Sequence, residues 1–232
     1  MAGIFYGVGV GPGDPALLTE KAKRCIEAAD VLAVPANGTT ATAFAVVKQA
    51  VAPGNKPVLE LEFSMSGDRN RWKDCAVQAA TTIGALLEQG KQVALVTLGD
   101  VTLYSTCMYV FRLLKKRGFS AELIPGISAA SAGAALAGIS VAQDQENVAV
   151  IPLGRYPERH RALMDAADNL ILMKAGSCMD WIIRYMEEHG IPQEQAVVFA
   201  DVGLPGEYVG APEADRVYGY FTTVIVKKNG WE

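Results

Sequence analysis

Four glycines stand close together in residues 7–15, Gly-Val-Gly-Val-Gly-Pro-Gly-Asp-Pro, directly after an apolar run. Glycine permits tight turns and a close approach of the backbone to a ligand. The glycine spacing of a dinucleotide loop is absent, because Pro12 or Asp14 takes the place of its last glycine. A phosphate-binding loop with its Gly-Lys-Ser or Gly-Lys-Thr end is absent too. The segment predicts a tight strand-to-helix turn that comes close to a ligand or to another part of the chain.

A second polar segment covers residues 97–106, Thr-Leu-Gly-Asp-Val-Thr-Leu-Tyr-Ser-Thr. It follows the apolar run 93–96, so it lies at the carboxyl end of a predicted buried strand. In open α/β sheets, ligands bind at that edge. Asp100 can accept hydrogen bonds from a cationic or hydroxyl-bearing cofactor. Part of the polarity has a simpler explanation, because Ser105 or Thr106 can cap the next helix.

A third segment, residues 125–135, is rich in Ser, Ala and Gly, which let helix and ligand backbones approach closely. It is not a serine-hydrolase elbow, because no glycine stands at the last position of the Gly-x-Ser-x-Gly pattern. The two histidines, His160 and His189, lie in polar, charged stretches, where solvated roles are favoured over catalytic ones. Nucleophilic hydrolysis is therefore not indicated.

The densest group of cations comprises Arg155, Arg159, His160 and Arg161, and Lys174 is a separate candidate. Guanidinium groups bind carboxylates through paired hydrogen bonds, so this group fits a polycarboxylate ligand. A solvated helix start explains the same residues equally well.

Charge and composition exclude several other partners. The 232-residue chain has a net charge of -4 with scattered Lys and Arg, which argues against a nucleic-acid surface. The four cysteines are far apart and form no Cys-x-x-Cys pair, so a zinc site is not expected. No apolar run approaches the ~20 residues that span a bilayer, and no signal peptide is apparent. We expect a cytoplasmic protein with reduced thiols and no metal.

Short strand-like runs alternate with helix-like stretches along the whole chain. The predicted strands are 4–10, 30–34, 58–61, 92–98, 121–124, 148–153, 169–173, 196–200 and 221–227. The predicted helices are 17–29, 41–50, 71–89, 105–117, 128–137 and 179–189. This alternation predicts an α/β fold, and about five strands in each half favour two small sheets over one large sheet.

We therefore predict two small α/β domains with a boundary near Gly126. Residues 1–125 form the N-terminal domain with the first two loops, and residues 126–232 form the C-terminal domain. Residues 204–214, rich in Pro, Gly and acidic side chains, are predicted to be the most flexible segment.

In this order, the three segments resemble the tetrapyrrole methylase family of the cobalamin and sirohaem pathways. A GxGPGD loop, a GD loop and a PGIS/T segment recur in that family, and the resemblance extends from Gly7 to Lys227. Residues 7–19, 63–72 and 97–106 look most like the branch that methylates C(20) of precorrin-2 or cobalt-factor II. The family usually has proline after Gly-Asp, whereas this chain has Val101, which relaxes the φ constraint on the loop.

The resemblance implies two α/β domains with the active site in the cleft between them, usually in a homodimer. It also implies that S-adenosylmethionine is the methyl donor and leaves as S-adenosylhomocysteine. The cofactor contacts that carry over are Pro12, Leu98, Gly99, Asp100, Leu103, Ser128, Ala129, Met173 and Val202.

The implied reaction is an in-line displacement at the sulfonium methyl by a ring carbon. Positioning can contribute about 7–11 kcal/mol to such a step. No obligatory base is visible; Asp100 and Tyr104 are the catalytic candidates, and Asp100 fits cofactor binding better. The tetrapyrrole is a polycarboxylate, and its candidate ligands are Arg155, Arg159, Arg161 and Lys174.

Other functions stay open at this point. Within the same family, the chain could methylate another ring position or act in diphthine synthesis on a protein. Outside it, the chain could be an S-adenosylmethionine-binding regulator without turnover. A dehydrogenase is disfavoured by the missing glycine spacing and the missing ribose-binding acid.

Overall fold

A computed structural model describes residues 2–36, 40–51, 54–63, 69–213 and 215–231. Residues 64–68, which carry part of the branch resemblance, and Ala214 lie outside the described residues. The chain forms two compact units, Met1–Ser128 (unit 1) and Ala129–Glu232 (unit 2). The sequence places the domain boundary between residues 125 and 126, and the units divide between Ser128 and Ala129.

Unit 1 alternates strands and helices. Its elements are β1 (Ile4–Gly9), α1 (Glu20–Ala28), β2 (Val31–Pro35), α2 (Thr40–Ala50), β3 (Val58–Leu61), α3 (Arg69–Glu88), β4 (Val93–Thr97), α4 (Cys107–Lys116) and β5 (Ser120–Ile124). The strands form a five-stranded sheet in the order β3-β2-β4-β1-β5, and every pairing is parallel. Helical crossovers cover such a sheet, and accordingly β2 and β4 read as nearly continuous apolar runs.

Unit 2 opens with a helix. Its elements are α5 (Ala129–Ala137), β6 (Val148–Pro152), α6 (Arg161–Ala166), β7 (Asn169–Met173), α7 (Met179–Glu188), β8 (Ala196–Ala200), β9 (Tyr208–Gly210) and β10 (Thr222–Lys227). The five strands lie in the order β6-β7-β10-β8-β9. Strands β6 and β7 are parallel, whereas β10 is antiparallel to both β7 and β8. The carboxyl ends of β6, β7 and β8 therefore lie at the same edge. The two sheets confirm the predicted α/β class.

Apart from shifts of one or two residues at element ends, three elements differ from the sequence prediction. The predicted helix 17–29 is wrong at its start, because Thr19 caps α1 by accepting from the Ala22 N–H at 3.1 Å. Helix α6 was not predicted; its six residues are too few to show a helical period. Segment 204–214, predicted to be the most flexible, carries the edge strand β9, which pairs with β8.

Candidate active site

The glycine loop after β1 is hydrogen-bonded to the loop after β4. The Gly11 N–H donates to the Gly99 carbonyl at 3.3 Å, and the Gly99 N–H donates to the Gly11 carbonyl at 2.7 Å. Beside this bridge, the Val10 N–H donates to the Thr97 carbonyl at 2.9 Å. The first two sequence motifs thus form one structure. Pro12, one of the predicted cofactor contacts, is buried in it.

The third motif joins this structure through close backbone contacts between glycines. A Cβ atom on Gly9 would lie 2.6 Å from the Gly126 nitrogen, and a Cβ on Gly126 would overlap the Gly99 carbonyl oxygen. Any side chain at Gly9 or Gly126 would therefore force the loops apart. We call this contact of Gly9, Gly11, Gly99 and Gly126 the glycine junction.

Within the glycine junction, Gly99 has open space beside it. Its φ is 74°, in the left-handed region that favours glycine. Among the described residues, no atom lies within 4 Å of the position that a Gly99 Cβ would take. Leu98 and Leu103, which flank Gly99 and Asp100 in the loop, are partly exposed. The loop therefore has room for a ligand beside Gly99.

The Asp100 carboxylate is used inside unit 1. Its Oδ2 accepts from the Gly126 N–H at 2.9 Å, and its Oδ1 accepts from the Thr102 N–H at 2.8 Å and from the Thr102 hydroxyl. Burial raises the pKa of Asp100, but hydrogen bonds from Thr102, Gly126 and Leu103 outweigh it and hold the pKa below its ordinary value. Because its charged form is stabilised, this carboxylate is a poor proton acceptor.

The residues after Asp100 hold the loop in place. Val101, which stands where the family usually has proline, is fully buried in the unit 1 core, so side-chain packing anchors the loop. The buried Ser105 hydroxyl accepts from the Cys107 N–H at 3.2 Å, whereas Thr106 makes no side-chain cap. Tyr104 has a φ of 53° and is 43% exposed. Burial raises the pKa of Tyr104, so its hydroxyl stays protonated at neutral pH.

The glycine junction lies at a topological switch point of the unit 1 sheet. Strands β1 and β4 are neighbours, and the chain leaves β1 toward β2 but leaves β4 in the opposite direction, toward β5. Ligands of open α/β sheets bind outside the carboxyl ends of strands at such a point. Sheet topology and the three sequence motifs therefore agree on one position.

Ser128 and Ala129 lie where the two units meet in sequence. Ser128 is the last residue of unit 1, and Ala129 begins α5. The small residues of α5 allow tight packing inside unit 2: a Cβ on Gly133 would collide with the Phe199 ring of β8. Helix packing thus explains much of the small-residue character of this segment.

Unit 2 brings the remaining predicted cofactor contacts to one edge of its sheet. Met173 is the last residue of β7, and Val202, which is 4% exposed, is the second residue after β8. The residues after these strands, Lys174 and Asp201, have φ values of 57° and 51°. Strained backbone of this kind clusters at functional sites.

The predicted carboxylate-binding cations have different surroundings. Arg155 and Arg159 are exposed after β6, and Arg159 Nε donates to His160 Nε2 at 2.9 Å. Arg161 is already paired within unit 2, with Glu188 at 2.8 Å and Glu158 at 3.3 Å. Its availability for a substrate carboxylate is therefore reduced. The Lys174 ammonium lies 5.5 Å from the centre of the Tyr220 ring.

Both histidines are engaged with protein groups. Burial and the neighbouring Arg159 lower the pKa of His160. His189 Nε2 lies 3.2 Å from Asp165, and its Nδ1 lies 2.8 Å from the Tyr185 carbonyl.

In the described part of the chain, no cluster of His, Cys, Asp or Glu could hold a metal ion. No helix in the described ranges is long and apolar enough to cross a membrane.

Residues 5–216 match the family described as Tetrapyrrole (Corrin/Porphyrin) Methylases. The chain belongs to this family. This tetrapyrrole methylase is 32% identical over 227 residues to a probable cobalt-precorrin-2 C(20)-methyltransferase of Methanocaldococcus jannaschii, covering 96% of this chain and 95% of the relative. It is also 32% identical over 241 residues to a precorrin-2 C(20)-methyltransferase of a Sinorhizobium species, covering 99% of this chain and 96% of the relative.

The fold of the tetrapyrrole methylase is also found among solved structures. The uroporphyrin-III C-methyltransferase of Thermus thermophilus, complexed with S-adenosylhomocysteine, has a TM-score of 0.70 at 19% identity and covers 97% of this chain and 92% of that chain. This likeness shows the fold alone. Together, these comparisons confirm the family resemblance and the prediction of a methyltransferase.

Proposed function

We propose that this tetrapyrrole methylase transfers the methyl group of S-adenosylmethionine to C(20) of precorrin-2 or cobalt-factor II, in the synthesis of the corrin ring. The observation that carries the proposal is the similarity to two relatives named for C(20) methylation, each 32% identical over nearly the whole length of both chains. The relatives are named for acceptors with and without cobalt, so both acceptors belong in the test.

The glycine junction fits the proposed cofactor. A ligand can come close to a loop where no side chain protrudes, and no described atom lies within 4 Å of the position of a Gly99 Cβ. Pro12, Leu98, Gly99, Asp100, Leu103 and Ser128 are the proposed contacts from unit 1, and Ala129, Met173 and Val202 those from unit 2. When bound, S-adenosylmethionine supplies a methyl group already activated on a sulfonium.

Positioning is the main task left to the protein. The loop is fixed before a ligand binds by the two hydrogen bonds between Gly11 and Gly99. The three hydrogen bonds that the Asp100 carboxylate accepts from Gly126 and Thr102 hold it as well. Preorganisation of this kind reduces the cost of aligning ring carbon, methyl and sulfur. The sulfonium loses its charge in the transition state, so a weakly polar surface such as Leu98, Gly99 and Leu103 favours the reaction.

We propose that Arg155, Arg159 and Lys174 are the main residues that bind the carboxylates of the acceptor. Arg155 and Arg159 are exposed, and Lys174 lies at the carboxyl end of β7, beside Tyr220. Arg161 is the weaker candidate, because its guanidinium already pairs with Glu158 and Glu188.

Incubation of the purified protein with S-adenosylmethionine and either precorrin-2 or cobalt-factor II tests the proposal. Mass spectrometry should detect the gain of one methyl group, and NMR of the product should place it at C(20). Calorimetry should show binding of S-adenosylmethionine and S-adenosylhomocysteine but not of NAD. Methylation at another ring position, or tight NAD binding without a response to either sulfur ligand, would contradict the proposal.

We further propose that the protein acts as a homodimer in the cytoplasm. The family resemblance supports the homodimer, and light scattering of the purified protein tests it. The four cysteines are all unpaired, as is typical of proteins in reducing compartments.

A further inference from the structure

Asp201 lies at the carboxyl edge of the unit 2 sheet, directly after β8 and directly before Val202. It is half-buried. Within the described ranges, no residue donates a hydrogen bond to its carboxylate or pairs with it as a cation. A half-buried carboxylate that has no protein partner must make its hydrogen bonds with water or with a ligand, because leaving them unmade costs free energy. A carboxylate without a protein partner at this edge is therefore available to a ligand.

The backbone holds Asp201 in an uncommon conformation. Its φ is 51°, in the left-handed region. The Asp201 N–H donates to the Phe221 carbonyl at 3.1 Å, and the Leu204 N–H donates to the Asp201 carbonyl at 2.8 Å. Bonds on both sides fix the residue, and such strain persists only where the surroundings impose it. The conformation determines the direction in which the carboxylate leaves the chain.

Asp100 and Asp201, each in a loop after a strand, differ in their chemistry. The Asp100 carboxylate accepts hydrogen bonds from Gly126 and Thr102, and its pKa is below the ordinary value. Burial raises the pKa of Asp201, and no hydrogen bond or cation from the described part of the chain offsets the effect. A carboxylate with a raised pKa is the better proton acceptor near neutral pH. Asp201, rather than Asp100, has the properties of a base.

The proposed reaction requires a base. A new bond forms between the ring carbon and the methyl carbon, and the bond between sulfur and methyl breaks with its electrons returning to sulfur. For the ring carbon to rejoin the conjugated system, its C–H bond breaks and the proton must go to an acceptor. The electron pair stays in the ring, so no oxidant or reductant is needed.

We propose that the Asp201 carboxylate accepts the proton that the ring carbon loses on methylation. This inference rests on the proposed function. It assigns a catalytic role to a residue adjacent to the proposed cofactor contact Val202 and on the same sheet edge as Met173 and Lys174.

The test replaces the carboxylate without disturbing the backbone. Asn tolerates the left-handed region as well as Asp does, so Asp201→Asn should fold normally. Asp144→Asn is the matched control, because Asp144 has a φ of 46° and is exposed in the same unit. With the acceptor that the wild type methylates, kcat of Asp201→Asn should fall about 100-fold or more, the usual contribution of a general base. The affinity of Asp201→Asn for S-adenosylhomocysteine and its acceptor KM should stay near the wild-type values. The control variant Asp144→Asn should keep the wild-type kcat as well.

Each other result overturns the assignment. A loss of S-adenosylhomocysteine affinity would make Asp201 a cofactor ligand, and a rise in acceptor KM alone would make it a substrate ligand. Unchanged kcat would exclude a role in proton transfer. If the wild type binds S-adenosylhomocysteine but methylates neither acceptor, the proposed function is wrong and the role of Asp201 fails with it.

The pH profile of the wild type provides a second measurement if Asp201→Asn does not fold. The charged groups on the neighbouring segments make contacts of their own: the Lys174 ammonium lies 5.5 Å from the centre of the Tyr220 ring, and Glu207 accepts from the Gly203 N–H at 2.6 Å. Because the base must be ionised, kcat should fall on the acid side as the Asp201 carboxylate takes up a proton. A kcat that stays flat through the range in which carboxylates titrate would refute the proposal.

Discussion

Glycine serves two distinct purposes in the glycine junction. At Gly9 and Gly126 a side chain would collide with the backbone of a neighbouring loop, so glycine is required for folding. A Cβ at Gly99 would contact no described atom, so glycine is favoured there by its φ of 74° and by the proposed cofactor beside it. Replacing Gly99 therefore separates binding from folding, which replacing Gly9 or Gly126 cannot do.

We predict that Gly99→Ala weakens S-adenosylhomocysteine binding more than it weakens folding. Alanine in the left-handed region should cost about 1–2 kcal/mol of stability. The new methyl group would also occupy the open space beside the loop, so the rise in melting temperature on adding S-adenosylhomocysteine should shrink. Thermal melts with and without S-adenosylhomocysteine measure both effects.

Gly118→Ala is the matched control for Gly99→Ala. Gly118 is the second residue after α4 and has a φ of 87°, and no described atom lies within 4 Å of its Cβ position. It should lose similar stability but keep the full ligand-induced rise. If Gly99→Ala also keeps that rise, Gly99 does not face the cofactor.

Single residues were predictable from sequence where the signal is local. The glycines and Asp100 stand in recurrent motifs, so their importance is visible without coordinates. The bond from the Gly126 N–H to Asp100 joins residues 26 positions apart, and a sequence pattern does not show it. Asp201 lies in no motif, and the lack of a partner for its carboxylate among the described residues is visible only in the folded chain.

At the scale of elements, short strands were the most predictable. The predicted strands 58–61, 169–173 and 196–200 have the bounds of β3, β7 and β8, because runs of four or five residues between polar segments have the length of a strand and are too short for a typical helix. The three-residue strand β9 was missed, since its pairing with β8 depends on tertiary contact and its surroundings contain Pro and Gly. The direction of β10 is likewise set by sheet packing.

Asp100 links the end of β4 to the end of β5, so its replacement should weaken that link. We predict that Asp100→Asn lowers the unfolding free energy at pH 7 by about 1–3 kcal/mol, because amide hydrogens would face N–H and O–H donors. Denaturant unfolding followed by circular dichroism measures the change. Asp14→Asn is the control: Asp14 accepts from the Ala16 N–H at 2.8 Å as a helix cap, and Asn caps equally well.

The effect of Asp100→Asn should also depend on pH. The folded-state pKa of Asp100 is lower than the ordinary 3.8, so its stabilising effect is complete above pH 3.8 and is lost as pH falls through the folded pKa. The difference between wild type and variant should therefore shrink in that acid range. A difference that stays constant from pH 7 to below the ordinary value would contradict the hydrogen-bonded carboxylate.

At the scale of the whole molecule, the net charge of the chain has the same sign as that of the proposed acceptor. The chain has a net charge of -4, and a tetrapyrrole polycarboxylate is also an anion. Long-range attraction cannot bring the two together, so local cations must bind the carboxylates. Arg155 and Arg159 are exposed and follow β6, whose carboxyl end shares an edge with Met173 and Val202.

We predict that the double variant Arg155→Gln/Arg159→Gln raises the acceptor KM at least tenfold and leaves S-adenosylhomocysteine affinity unchanged. A charged hydrogen bond that the bound acceptor itself shields from water is worth about 1.5–3 kcal/mol, and about 1.4 kcal/mol is tenfold in an equilibrium constant. Lys115→Gln/Lys116→Gln removes the same charge from the exposed end of α4, and it should leave KM unaltered. Steady-state kinetics with both acceptors decide the matter. Equal rises in both variants would indicate a general charge effect, and no rise in either would make the arginines solvated surface residues.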